Sequence, residues 1–470
     1  MAASRNKTAA DPQARLLAHL ASCLLKDVPD HSTVTVGFSG GRDSAVLLDA
    51  LSRLIPERLQ AIHVHHGLSP LADQWADFCQ QFAQQRQIPC QIERVSVDVT
   101  GGQGLEGAAR EARYAAFQRT GHSWVALAHH QNDQVETVMF RVLRGTGIHG
   151  LAGMQTVSAR GGLTIWRPLL GLPRALLEAY ASTIGLDWVE DESNNDRRYR
   201  RNFLRHQILP ALEPQFAGFS PAVARLADHA AEAASLLDEL ARDDWRLCRS
   251  DDATGLKIHA LAALSPARQR NVLRFWIKQL GLPMPETRTL HAWQAQLELA
   301  NQVADWVWSY SAGEFRVWRG VLYPAGVSRS LEAVELDGAI FTRPGQCSVG
   351  TGSVSWEKYS GLEAGKEDLL LSTARLSEHF CQGASLSLSR RKGGETLRLS
   401  HNRPRQLLKK LLQASSLFPW ERDRRPVLRV SDQVVGYFGV GVNAAFQPID
   451  CDDAIRFSWQ AVRPANLEDL

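Results

Sequence analysis

No two of the seven cysteines in this 470-residue chain stand in a CxxC spacing. They are scattered as Cys23, Cys79, Cys90, Cys248, Cys347, Cys381 and Cys451. A disulfide framework, a zinc ribbon or an iron–sulfur cluster needs grouped cysteines, so buried free thiols are expected instead. Long apolar runs are missing too. Leu16 to Leu25 carries His19 and Ser22, is too short to span a bilayer and lacks a signal-peptide pattern. A cytoplasmic protein with no membrane partner is expected. Internal repeats and low-complexity tracts are absent. An excess of either charge is missing as well: 53 Lys and Arg face 50 Asp and Glu, and the net value of +3 proves nothing about nucleic acid.

What is present is the composition of a globular protein, 44% hydrophobic and 22% charged. The length exceeds one core, so two or three domains are expected. Monomer and homodimer both stay open. The charge is unevenly spread. Arg390 to Arg429 holds Arg391, Lys392, Arg403, Arg405 and Arg422 among twelve positive residues, opposed only by Glu395, Glu421 and Asp423. A second cluster includes Arg197, Arg198, Arg200, Arg201 and Arg205. Blocks like these mark either a polyanion site or a solvated basic face.

The most informative segment is Ser39-Gly40-Gly41-Arg42-Asp43-Ser44. It follows the strand-like Val34–Phe38 and precedes an apolar helical run from Ser44 to Leu54. A Gly-rich turn between strand and helix brings backbone N–H groups and the positive helix end onto phosphate oxygens. Ser39 and Ser44 add hydroxyls. No Lys follows the glycines, so this is not the common GxxxxGK[ST] loop. Asp43 would repel phosphate unless a cation such as Mg²⁺ intervenes.

Residues 31 to about 145 alternate strand and helix. Strands are expected at Val34–Phe38, Ala61–His65, Gln91–Val97 and Trp124–Ala128, and helices at Ser44–Leu54, Ala72–Arg86, Leu105–Gln118 and Asn132–Leu143. This order predicts an α/β domain with a doubly wound parallel sheet, over residues 1–214. Residues 215–326 read as a mainly helical middle domain, and 327–470 as a small basic α+β domain with its core near 385–445. Ligands of such sheets bind at the carboxyl ends of the strands.

Asp133 and Glu136 stand three apart where the fourth strand turns into a helix, so they share a face. They read either as a cap and a solvated acid or as a pair that holds Mg²⁺, holds an ammonium or acts as base. His129 is taken as a polar contact to substrate or nucleotide. Glu106, Arg110, Arg113 and Tyr114 share one side of a helix, and the arginines could decorate the surface or neutralise anions. Glu190 to Asp196, leading into the Arg cluster, reads as a polar loop or an RNA-facing one.

With these stretches, the chain resembles the bacterial tRNA(Ile)-lysidine synthases of the PP-loop superfamily. Supporting segments are Ser39–Ser44, His65–Ser69, Glu106–Tyr114, Ala128–Thr137, Arg144–Gly147, Arg167–Leu170, Asp191–Asn194 and Arg201-Asn202, then Arg391–Glu395 and Pro419–Arg422. Asn132 departs from the pattern, where an acid is expected more often; this shifts weight to Asp133.

The resemblance implies an ATP-dependent ligase. The C2 oxygen of the wobble cytidine in the CAU anticodon of tRNA(Ile) attacks the α-phosphate of ATP, and pyrophosphate leaves. Free L-lysine then displaces AMP. It implies that Ser39 to Ser44 and His65 bind ATP, with Mg²⁺ through Asp43. Asp133, Glu136, Arg110 and Arg113 would join Asp43 in catalysis. His129, Arg201, Arg205, Arg391, Lys392, Arg403, Arg405 and Arg422 would contact substrate or tRNA. A tRNA thiolase of the same loop family is the nearest rival, weakened by the missing CxxC; an amidotransferase-type synthetase and a non-catalytic tRNA-binding protein are the others.

Overall fold

The structure, a computed structural model, describes residues 11–97, 104–190, 200–299, 306–311, 313–325, 333–349, 352–359, 365, 368–415, 417–449 and 454–461. They divide into two compact units, Met1–Leu236 and Leu237–Leu470.

The first unit opens with helix α1 (Pro12–Asp27), started by the Asp11 carboxylate, which accepts the N–H groups of Gln13 and Ala14, and by Pro12 in the first turn. Then come β1 (Val34–Gly37), α2 (Arg42–Leu54), β2 (Leu59–His65), α3 (Ala72–Gln85), β3 (Cys90–Arg94), α4 (Gly104–Arg119), β4 (Trp124–Ala126) and α5 (Gln131–Val142). Short α6 (Ile148–Leu151), β5 (Val157–Arg160), β6 (Leu163–Trp166) and α7 (Arg174–Ile184) follow. The unit ends with α8 (Arg200–Phe203), a π-helical turn Leu204–Ile208, α9 (Leu209–Leu212) and the start of α10 (Phe219–Cys248).

The six strands lie in the order β3-β2-β1-β4-β6-β5. Val34 pairs with Leu59 on one side and Trp124 on the other, both in parallel register. Side chains alternate between two cores, as the strand period demands. Val34, Val36, Ala61, Ala126 and Trp166 pack with residues of α1, α2, α3 and α7. Ile62, Val125 and Ile165 pack with Ala116 and Phe117 of α4 on the other face. The expected doubly wound sheet is therefore present. It is corrected in one detail: β5 is antiparallel to β6. Only Gly161 and Gly162, both with positive φ, join these strands, and so short a link cannot make a parallel crossover.

In the second unit, helices Pro266–Gln279 and Thr287–Leu299 pack with a four-stranded antiparallel sheet. Trp245, Trp276, Trp293 and Trp308 fill that core, with Trp293 stacked on Trp308 at 4.8 Å. Residues from Val334 onward form a five-stranded and a four-stranded antiparallel sheet around a shared apolar core. A short helix carrying Lys409 and Lys410 starts at Leu408, because Gln406 and Leu407 pair as strand with Leu397 and Thr396. Among the described residues, no helix is long and apolar enough to cross a membrane.

Candidate active site

Because β1, β2, β4 and β6 run parallel, their carboxyl ends share one edge. Three segments lie there: the Gly-rich turn after β1, His65-His66 at the end of β2, and His129-His130 between β4 and α5.

The turn is built for close approach. Gly40 has φ +85°, open to glycine at little cost. A Cβ there would lie 2.8 Å from Val189 Cγ2 and 3.1 Å from Cys79 Sγ. The Gly40 carbonyl accepts the Val189 N–H at 3.0 Å. Gly41 caps α2 with no side chain, which leaves the first N–H groups of that helix for a ligand. Ser39 Oγ lies 3.1 Å from Ser44 Oγ, and the Ser44 hydroxyl donates to the Gly41 carbonyl at 2.8 Å. Ser39, Gly40, Gly41 and Ser44 thus share one turn. Arg42 swings aside: its Nη1 donates to Glu178 of α7 at 2.8 Å.

Asp43 faces His130. The His130 Nε2 lies 3.4 Å from Asp43 Oδ2, and Arg42 Nε donates to Oδ1 at 3.3 Å. Burial pushes the Asp43 carboxyl up, yet His130, Arg42 and Arg174 outweigh it and hold it below the usual carboxylate range. His130 is buried and caps α5; its own backbone N–H donates to Asp133 Oδ2 at 3.0 Å. It therefore joins the Gly-rich turn to the acid pair. Motif reasoning favours His129 and misses His130; the spacing of His130 and Asp133, that of a capping box, is the signal that points to it.

Asp133 and Glu136 are buried and share a guanidinium. Arg205 donates from Nη2 to Asp133 Oδ1 at 2.9 Å, and from Nε and Nη2 to Glu136 at 2.5 and 2.9 Å. Arg201 Nε adds a bond to Glu136 Oε2 at 3.3 Å. Asp133 thus caps α5 through one oxygen and accepts from Arg205 through the other, while Glu136 is buried and not the solvated acid of the cap reading. Asn132, in contrast, turns away and accepts the Arg174 N–H that begins α7 at 3.1 Å.

His129 lies beside a cationic group. Burial pushes its imidazole down to about 4; Asp133 opposes this, while Arg167, Arg201 and Arg110 add to it. His66 is also held down to about 4, by burial, then Arg113 and its histidine neighbours. Arg110 and Arg113 therefore lie within electrostatic reach of this edge, and Arg110 Nη2 donates to the Tyr114 hydroxyl at 3.4 Å. His65 is buried, within 3.3 Å of Asp73 and of Arg94. The stretch Asp191 to Arg198 lies outside the described residues, as does the Glu106 side chain.

In the second unit the basic block is divided. Arg425 and Arg429 are buried, and Arg429 pairs with Glu395 at 2.8 Å; they serve the core rather than a surface. Arg391 pairs with Asp423 at 2.8 Å, and Arg422 Nε donates to the Leu417 carbonyl at 3.0 Å. Arg403 and Arg405 are exposed. A cavity of about 460 Å³ opens beside Arg390, Arg391, Lys392 and Lys409. Glu395 is pushed up by burial but held low overall, chiefly by the N–H groups of Lys392, itself and Gly393, then by Arg429.

Among the described residues, no three His, Cys, Asp or Glu side chains are placed to hold a metal ion. A parallel sheet with a lysine-free glycine turn, a carboxylate inside the turn and acids at the same edge define an ATP pyrophosphatase of the PP-loop class. Comparison with known proteins agrees. A PP-loop domain family matches residues 12–212, the TilS substrate binding domain 256–323 and the TilS substrate C-terminal domain 386–459. A tRNA(Ile)-lysidine synthase of Coxiella burnetii is 36% identical over 89% of this chain and 91% of its own length. That of Chromobacterium violaceum is 38% identical over 90% and 96%. The chain belongs to the tRNA(Ile)-lysidine synthase family.

Proposed function

We propose that this chain ligates L-lysine to C2 of the wobble cytidine in the CAU anticodon of tRNA(Ile), splitting ATP into AMP and pyrophosphate, in the cytoplasm. The observation that carries this reading is the shared edge: the Gly-rich turn and the acid pair stand a single imidazole apart, through His130.

Cytosine C2 is a poor electrophile. Attack of its oxygen on the α-phosphate makes that oxygen a leaving group, with pyrophosphate departing onto the turn. The free N–H groups at the start of α2, with Ser39 and Ser44, stabilise the charge that develops there. Asp43 suits Mg²⁺, since its carboxylate is ionised and only loosely held, and a magnesium ion takes one or two carboxylates together with phosphate oxygens. Bound there, the ion would offset phosphate charge. Lysine arrives as an ammonium of pKa about 10.4. Asp133 and Glu136 receive it and take a proton, so that the free amine attacks C2 and AMP leaves. Arg110 and Arg113 balance anionic groups. The wobble base sits in a loop, where extrusion costs less than from a duplex. Arg391, Lys392, Arg403, Arg405 and Arg422 grip the tRNA backbone.

The test is transfer of labelled lysine into a tRNA(Ile) transcript in the presence of ATP. Label in the RNA, dependent on the CAU anticodon, supports the reading. Sulfur incorporation without lysine transfer would favour the thiolase instead.

A further inference from the structure

The acid pair already holds a cation. One guanidinium, that of Arg205, spans both Asp133 and Glu136 in three bonds of 2.5 to 2.9 Å. It fills the position that the reading above gives to the lysine ammonium, and it is the same kind of guest, a cationic N–H donor. Two further observations bear on it. His130 is only 3% exposed, and its Nδ1, which has no hydrogen-bond partner among the described residues, lies 3.5 Å from Asp133 Oδ2. A second polar atom is thus aimed into the pair. Arg205 also sits in the π-helical turn Leu204–Ile208, a rare geometry that collects at functional sites.

We propose that Arg205 is an internal stand-in for the substrate ammonium: it occupies Asp133 and Glu136 until phosphate oxygens draw it off, so that lysine binds after the phosphate-bearing substrates. This rests on the acid pair being the ammonium site. Simple departure of Arg205 would leave the buried Asp133 without its guanidinium and Glu136 with only the longer Arg201 contact at 3.3 Å, which is unfavourable. An exchange avoids that. The guanidinium moves to phosphate, which suits its fork geometry, and the lysine ammonium takes its place. The phosphate source is the nucleotide or the RNA. The Gly-rich turn is near, because the charge of Asp43 acts on Arg205. The device keeps free lysine from being deprotonated before the activated base is there to receive it.

Isothermal titration of L-lysine into the full chain tests this in three arms: enzyme alone, with a non-hydrolysable ATP analogue and Mg²⁺, and with tRNA(Ile) transcript. Wild type should bind lysine weakly alone and about tenfold or more tighter in the arm that releases Arg205, which names the phosphate source. Arg205→Gln should bind lysine about tenfold tighter than wild type with no partner present, and should lose the enhancement. Arg205→Lys keeps a cation beside the acids, so it folds even where the neutral variant does not; it cannot span both carboxylates and should fall between the two. The proposal is overturned if neither variant binds lysine more tightly than wild type in the first arm, or if both keep the full enhancement. Failure of the underlying reading looks different: Asp133→Asn and Glu136→Gln would then leave lysine affinity unchanged in every arm.

Discussion

Gly40 and Asp43 do different work in one turn. At Gly40, φ of +85° and the nearness of Val189 and Cys79 admit no Cβ. Gly40→Ala should therefore distort the turn, at about 1–2 kcal/mol for the backbone alone, and nearly abolish pyrophosphate release. Asp43→Ala leaves the turn intact, so the chain should fold and bind tRNA as before while pyrophosphate release drops by about 10²–10³. Turnover like wild type would remove Asp43 from the mechanism. His66 and His129 make a separate prediction. Each is held down to about 4 by burial first, whereas an unfolded histidine takes up its proton near 6.5. Between those values the unfolded chain binds more protons, so stability falls as pH drops from about 6.5 towards 4. His129→Gln should flatten that acid limb in thermal melts, and an unchanged slope would contradict the burial of a neutral imidazole.

At the scale of the element, α5 and α7 are tied at their first turns. Asn132 accepts the Arg174 N–H, an orphan donor of α7. Asn132→Ala should cost about 0.5–2 kcal/mol, read as a lowered Tm, with lysine transfer at saturating substrate unchanged; a fall in transfer without a fall in Tm would give Asn132 a chemical role. This is also the scale at which the sequence is most and least readable. The turn announces itself because strand, glycines and helix are adjacent in the chain. The acid pair does too, because three residues is one helical step. The partner of that pair does not: Arg205 lies about seventy residues on, and nothing local assigns a cationic stretch to a particular acid. Helix α1 reads only as an apolar run until Asp11 and Pro12 are recognised as its start, and the β5–β6 hairpin is hidden because twin glycines mark open loops as well as tight turns. The basic block from Arg390 misleads in part, since charge along a chain does not say which arginines, here Arg425 and Arg429, are folded inside.

At the scale of the whole molecule, the proposed function places chemistry and tRNA grip in different parts of the chain. The first unit carries the turn and the acids; the second carries exposed Arg403 and Arg405 and the cavity by Lys392. Neutralising Arg391, Lys392, Arg403 and Arg405 together should weaken tRNA binding and shrink its salt slope by up to about 0.7–0.9 log units for each phosphate no longer neutralised, while ATP affinity holds. A slope equal to wild type would mean that these side chains face only solvent.

One measurement reaches the centre of this account. A tRNA(Ile) transcript carrying oxygen-18 on C2 of its wobble cytosine, incubated with the enzyme, ATP and lysine, should yield AMP bearing the heavy oxygen and a wobble nucleotide heavier than unlabelled cytidine by one lysine less one water. Heavy oxygen retained in the RNA, or AMP without it, would show that the base oxygen never attacked the α-phosphate.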